Sequence, residues 1–372
     1  MDTLNMGWRT ALLLSLAAPT LVAAVIIGIR AADRPAFMWL AALLGAWCWH
    51  SIPYIIGFAG AYDAFPWLTF APFNMELWFG PMLYLHARAL ARNEPPARLW
   101  LWLLPGAVQF SYYTVCFTLL GDSGSKFAFN NAFHEPYIVP VESAIGIGLA
   151  ILGMTLTWRE ITAYQRWLGR SHSAADAFDP VWLRRFVAGM ALSIGAWIGF
   201  DIWGALAGGL SYFTVFWMYA AIGAVFLLLA LDGLTHVNVV FPKVAAMEPL
   251  PDQRSRTPLS ASDVAKEIRK ARLHRDPNLT LSSLSRRIGT NETYLSRAIN
   301  TGAGVNFNRF INEIRVEEVC DRLLNSNDEQ TLLEIAMGAG FASKATFNRV
   351  FRDIKGETPR RWRQTARQSL RT

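Results

Sequence analysis

"EIAMGAGFASKATFNRVFRDIKGETPRRW", residues 334–362, decides how the last third of this chain folds. Thr331 and Glu334 have capping-box spacing, in which each side chain satisfies the other residue's unpaired backbone N–H, so a helix opens here. It is short: Ile335 and Ala336 point inward, Gly338 and Gly340 supply a turn, and Phe341 plugs the joint. Ser343 caps the next helix, which buries Phe347, Val350 and Phe351. Gly356 ends that helix and Pro359 prevents its continuation. Short helix, glycine turn, capped helix is the helix-turn-helix pattern.

Upstream, "DPNLTLSSLSRRIGTNETYLSRAIN" (276–300) repeats these signals. Leu281, Leu284 and Ile288 make the inner face of a short helix and Gly289 breaks it; Asn291 caps a second helix that buries Leu295 and Ile299. Between the units, "NFNRFINEIRVEEVCDRLLN" (306–325) reads as one amphipathic helix, with Phe307, Phe310, Ile314, Val319 and Leu323 on its apolar face. Ahead of both, "SDVAKEIRKARL" (262–273) places Val264, Ile268 and Leu273 at helical spacing behind a cap at Ser262 or Asp263.

Composition separates this tail from the rest. Residues 1–249 hold 13 Lys/Arg against 14 Asp/Glu, residues 250–372 hold 22 against 14, and the net charge of +7 therefore comes from the last third. Fourteen of the 15 Trp lie before residue 249 and Trp362 alone follows. A basic tail with two helix-turn-helix units calls for an anionic partner, double-stranded DNA. The residues each second helix leaves to solvent are Glu292, Thr293, Ser296, Arg297 and Asn300 in the first unit, and Lys344, Ala345, Asn348, Arg349 and Arg352 in the second. These are groups a major groove receives: arginine pairs with guanine, asparagine with adenine, and a small apolar group meets the thymine methyl. Arg286, Arg287, Lys355, Arg360, Arg361 and Arg363 read equally as phosphate contacts or as solvated charge.

The front of the chain is apolar. Crossing a bilayer takes roughly 20 apolar residues as a helix. Residues 11–29, 36–59, 67–87, 99–120, 138–158, 186–208 and 213–231 supply seven candidates. With the C-terminus inside, inner loops carry Arg30, Arg34, Arg88, Arg92, Arg98, Arg159, Arg166, Arg170, Arg184 and Arg185, whereas outer segments carry Arg9 and Lys126. That asymmetry obeys the positive-inside rule and places the N-terminus outside. Trp67, Trp100, Trp158 and Tyr212 sit near span ends, where aromatic anchors belong.

Ionisable groups within lipid cost several kcal/mol and face a bundle interior or a wet cavity. His50, Glu76, Glu142 and Asp201 are such groups, read either as the lining of a sensing pocket or as partners of one another. Glu76 and His50 fall near mid-span in this reading. Gly195/Gly199 and Gly204/Gly208 have the four-residue spacing that lets helices approach closely. "GIGLAILG" (146–153) is discounted as a nucleotide loop because no strand precedes it. Residues 232–260 hold Pro242, Pro249, Pro251 and Pro258 and read as a cytoplasmic linker. Cys48, Cys116 and Cys320 are scattered, without the spacing of a disulfide framework or a zinc site. No serine–histidine–acid set, HExxH or P-loop is present, so neither an enzyme nor a cofactor or metal is expected.

Residues 262–363 resemble the DNA-binding domain of the AraC/XylS family of bacterial transcriptional regulators. The likeness rests on EIA…GF.S…F.RVF…G.TP..W in the second unit, and on "YLSR" and "NFNRFINEIRVEE" in and after the first. "FGPMLYLHARAL" is similar to a span of a subgroup with a polytopic sensor half. Ser285, Ile299 and Val319 depart from the family's usual alanine, phenylalanine and alanine. The resemblance implies seven helices in the DNA domain, two recognition helices in neighbouring major grooves, and control of transcription.

The expected architecture is all-α: a seven-span sensor (1–231), a linker (232–260) and a soluble two-unit AraC-type domain (261–372). The expected function is a one-component transcriptional regulator in a bacterial inner membrane. The alternative is a transporter-like or ligand-binding membrane protein carrying a regulatory DNA domain. Partners are promoter DNA and the lipid bilayer, with RNA polymerase, a second copy and a small-molecule or membrane signal as further candidates.

Overall fold

A computed structural model describes residues 6–207, 212–244, 259–324 and 330–369. Among them the chain is helical, with one isolated antiparallel bridge, between His172 and Thr280. It divides into two compact units, Met1–Thr162 with Pro180–Ala245, and Ala163–Asp179 with Ala246–Thr372.

The first unit contains α1 (Trp8–Arg30), α2 (Pro35–Gly57), a short α3 (Ala61–Ala64), α4 (Glu76–Ala91), α5 (Leu99–Leu119) and α6 (Ser123–Phe129). A π-helical stretch, Asn130–Ile138, joins α6 to α7 (Val139–Ser171); α8 (Val181–Ala207) and α9 (Tyr212–His236) follow. Four helical runs among the described residues are long and apolar enough to cross a membrane: Trp8–Arg30, Pro35–Gly57, the continuous run Ser123–Ser171 and Val215–His236. The expectation of seven is thus met by four on this measure. The segment expected at 67–87 is not one helix: α4 begins at Glu76 and has 16 residues, about 24 Å at 1.5 Å per residue, short of a ~30 Å hydrocarbon core. Helix α5 has the length, but Gln109, Ser111, Tyr112, Tyr113 and Thr114 dilute its apolar run.

Close helix approach occurs at glycines other than those expected. A Cβ on Gly80 of α4 would lie 2.0 Å from Leu149 O, and one on Gly153 of α7 would lie 2.3 Å from Gly80 O. Gly195 and Gly199 would meet nothing within 4 Å, and Gly204 and Gly208 have no described side-chain surroundings. The expected linker also starts later than residue 232. Helix α9 continues to His236, and Phe241 is buried. Lys243 Nζ donates to Leu90 O at 3.0 Å and to Ala89 O, and Val244 N donates to Ala91 O at 2.9 Å, so the end of α4 is capped by this stretch. Residues 245–258 lie outside the described residues.

In the second unit the local signals give the elements directly: α10 (Ala261–Lys270), α11 (Leu281–Ile288), α12 (Glu292–Ala303), α13 (Phe307–Leu324), α14 (Leu332–Gly338), α15 (Lys344–Lys355) and α16 (Pro359–Ser369). The N-cap of α10 is Ser260, which accepts from Asp263 N at 3.1 Å, rather than Ser262 or Asp263. Asn291 accepts from Tyr294 N at 2.7 Å, and Thr331 and Glu334 close the expected capping box. A second box, Thr280 with Ser283, opens α11.

Helix α13 is shared by two separate cores. Phe307, Phe310, Ile311 and Ile314 pack with Val264, Ile268, Leu284, Leu295 and Ile299. Val316, Val319, Cys320 and Leu323 pack with Ile335, Phe341, Phe347 and Phe351. Ser285, Ile299 and Val319 are buried within these cores, and the Ser285 hydroxyl donates to Ser282 O at 3.0 Å. The turn of the second unit depends on Gly340, whose φ is +97° and whose Cβ would lie 2.3 Å from His274 O. Any side chain there meets both a left-handed backbone and a backbone collision.

Candidate nucleic-acid interface

Each helix-turn-helix buries one side of its second helix and presents the other. On α12, Leu295 and Ile299 are fully buried; Thr293, Arg297 and Asn300 are exposed, and Glu292 and Ser296 are half-buried. Asn300 Nδ2 donates to Ser296 Oγ at 3.3 Å, which aligns two polar groups along that face. On α15, Phe347 and Phe351 are buried, Lys344, Ala345, Arg349 and Arg352 are exposed, and Asn348 is half-buried. Ala345, Asn348, Arg349 and Arg352 line one concavity of about 580 Å³ with Asp353. All ten residues read from the sequence as groove-facing therefore lie on two helix faces, five on each.

Among the described residues, the face of α15 has charged neighbours and that of α12 has none in an ion pair. Arg309 of α13 pairs with Asp353, and the Arg349 guanidinium meets the Asp176 carboxylate. Burial holds the Asp176 carboxyl above the usual carboxylate range, against the opposing pull of Arg349. Arg297 has no ion-pair partner among the described residues.

Arg315, which the sequence reading did not single out, is the buried polar centre of this unit, 2% exposed. A guanidinium has five N–H donors, and each finds an acceptor here. Nε donates to His274 O at 2.7 Å, Nη1 to Asn312 Oδ1 at 3.2 Å and Ser173 O at 3.4 Å, and Nη2 to Asp276 O at 2.8 Å and Ser173 Oγ at 3.1 Å. Burial lowers its pKa to about 10, which leaves it charged at neutral pH. The signal was present: Arg315 sits four residues after Ile311 and four before Val319, on a stripe that is otherwise apolar.

In the first unit, His50 and Glu142 are buried and Glu76 is half-buried, and Glu142 centres a polar layer. Glu142 accepts from Gln109 Nε2, from Tyr113 Oη at 3.0 Å and from Asn74 Nδ2 at 3.5 Å. His50 Nδ1 accepts from Met75 N at 3.4 Å. Glu76 is not mid-span but opens α4, and a Cβ on Gly146 would lie 3.3 Å from its Oε1. The side chain of Asp201 lies outside the described residues. Sequence reading missed Asn74, Gln109, Tyr113 and His134, whose imidazole meets Tyr112 Oη at 3.0 Å. A cavity of about 880 Å³ adjoins this layer, walled by Tyr54, Phe58, Asp63, Phe73, Asn74 and Tyr113 among others. His50, Glu76 and Glu142 do not line it; Asn74 and Tyr113 connect Glu142 to it.

These faces define a class: the C-terminal part is a helix-turn-helix DNA-binding domain, and a family model described as a helix-turn-helix domain matches residues 284–365. That match is to a regulator family and not to an enzyme family. An uncharacterized HTH-type transcriptional regulator of Staphylococcus aureus (strain COL) is 35% identical over 91 residues, 24% of this chain and 12% of the relative. A probable transcription factor of Proteus vulgaris, PqrA, is 25% identical over 107 residues, 28% of this chain and 86% of the relative. Among solved structures, the C-terminal domain of AraT, a response regulator from Geobacillus stearothermophilus, aligns at 28% identity and TM-score 0.25, over 28% of this chain and 84% of that one. The chain thus spans about an eighth of the length of the staphylococcal relatives it matches.

Proposed function

We propose that this protein is a membrane-bound one-component transcriptional regulator of the AraC/XylS type, in which α12 and α15 read neighbouring major grooves of promoter DNA. The observation that carries the reading is the pair of outward faces, each backed by its own apolar core, on a basic domain whose helix α13 enters both cores. Arg297, Asn300, Asn348 and Arg349 are assigned to base edges, and Glu292, Thr293, Ser296, Lys344, Ala345 and Arg352 complete the two faces. Phosphate contacts position such a domain and base contacts specify its site.

Membrane residence is supported by apolar side chains that a water-facing protein buries. Exposed Ile29 on α1, Leu119 on α5, Ile151 on α7, Leu192 on α8 and Leu228 on α9 include helices outside the four most apolar runs. Such a surface suits hydrocarbon, and with the arginine asymmetry it supports seven spans, an outside N-terminus and a cytoplasmic DNA domain. We assign signal reception to the 880 Å³ cavity and to His50, Glu76 and Glu142, and keep Asp201 as a fourth sensing candidate on its sequence position alone. RNA polymerase and a second copy of the chain are proposed partners.

Two experiments test this. Full-length protein in lipid nanodiscs enriches a defined duplex from a random-sequence library, with affinity falling steeply as salt rises; enrichment of no sequence overturns the regulator reading. Reporter fusions after residues 33, 95 and 173 report the cytoplasmic side, and fusions after 62, 122 and 210 report the outside; an inverted pattern overturns the topology.

A further inference from the structure

The segment that follows α7 is docked on the DNA-binding domain within the second unit. His172 bridges Thr280, and Ser173 N donates to Leu279 O at 3.0 Å. Asn308 Nδ2 donates to Ser173 O at 2.8 Å and to His172 O at 3.3 Å. Two of the five Arg315 donors also end on Ser173, which is 1% exposed. Ser173 is thus fixed from three sides by α13 and by the turn ahead of α11. A single 3-10 turn, Ala175–Phe178, follows and carries Asp176 to Arg349. Gln165 Nε2 holds the neighbouring carboxylate, Asp179 Oδ1, at 2.6 Å.

Arg349 is one of the residues assigned to the groove, and a guanidinium whose Nη2 is engaged by a carboxylate has fewer donors for a base edge. Asp176 also brings negative charge to a surface that must accept phosphates. Its Oδ2 is buried and pairs with Nη2 of Arg349, whose side chain is more than half exposed and so open to exchange with DNA. Asp176 lies five residues beyond Ser171, the last residue of α7, so the chain links the pairing directly to a helix that the proposed function places in the membrane.

We propose that residues 172–179 form an acidic latch: Ser173 anchors the segment on Arg315 and Asn308, and Asp176 competes with DNA for Arg349. The proposal rests on the regulator reading and adds its means of control. Movement of α7 on signal binding withdraws Asp176 and frees the second recognition helix, while the first unit stays open to DNA throughout.

The test uses full-length protein in lipid nanodiscs and the duplexes that wild type and Asp176→Asn enrich from a random library. Arg349 is more than half exposed, so the pair has the modest strength of a solvated ion pair, and Asp176→Asn raises affinity about 2- to 5-fold. In an Arg349→Ala background the same substitution has no effect, which separates competition at Arg349 from a general change in charge. Phenylglyoxal labelling mapped by mass spectrometry reads the pair without DNA: Arg349 modifies faster in Asp176→Asn than in wild type. Equal affinities, or the same gain with and without Arg349, overturn the latch, and so does unchanged labelling. Failure of the underlying reading appears separately, as an absence of enrichment by either protein, and takes the latch with it.

Discussion

Helices α12 and α15 are built alike, each with a short helix before it, a polar cap and a buried apolar side, yet their outward faces meet different surroundings. The face of α12 carries Thr293, Arg297 and Asn300 to solvent. The face of α15 carries two arginines and a lysine, and Arg349 is already paired with Asp176. The second unit therefore has the larger electrostatic capacity for DNA and the only ion-paired arginine among the ten assigned residues described. On the proposed latch, equal scaffolds with unequal neighbours make the first unit a constant reader and the second a regulated one.

The sharpest break in that comparison is at the shared centre. Arg315→Met removes five hydrogen bonds from the buried centre and should cost about 3–5 kcal/mol, loosening both units and the 172–179 segment together; amide-exchange mass spectrometry of the full chain reads all three. Phe351→Ala should cost about 3–5 kcal/mol in the second core alone. Its exchange protection should fall over α14–α16 and persist over α10–α12, because the two cores share only α13. Loss of protection in both would show that the cores fold as one.

The local signals that define these units were legible because they act over three or four residues. Asn291, Ser343 and the Thr331/Glu334 box each cap a helix that the sequence alone marks out, and all ten outward residues follow from knowing which apolar residues turn inward. Long-range features were not legible. Helix α4 begins at Glu76 because residues 65–75 follow their own turns and loop, which hydropathy averages over. Gly153 belongs to a motif that looked like a failed phosphate loop, and its role is fixed by Gly80, far away in the chain. Nothing in the sequence around Asp176 marks it; only the fold brings it to Arg349.

Smaller effects sharpen the comparison of the two faces. Arg349→Ala and Arg297→Ala should each cost about 1–3 kcal/mol of discrimination at one base position, measured by competition between the selected duplex and single-base variants. Ser343→Ala and Asn291→Ala remove equivalent caps and should each cost about 1 kcal/mol, seen as matched losses in urea unfolding. Unequal losses would mean that the surroundings of α15 also stabilise its N-terminus.

The most direct measurement is the sequence selectivity of the full-length protein in nanodiscs, compared for wild type, Arg297→Ala and Arg349→Ala on the same random duplex library. Two adjacent recognition elements are expected in the wild-type site, with each substitution relaxing a different one. A wild-type protein that prefers no sequence, or two substitutions that relax the same position, would contradict a reader with two separate grooves.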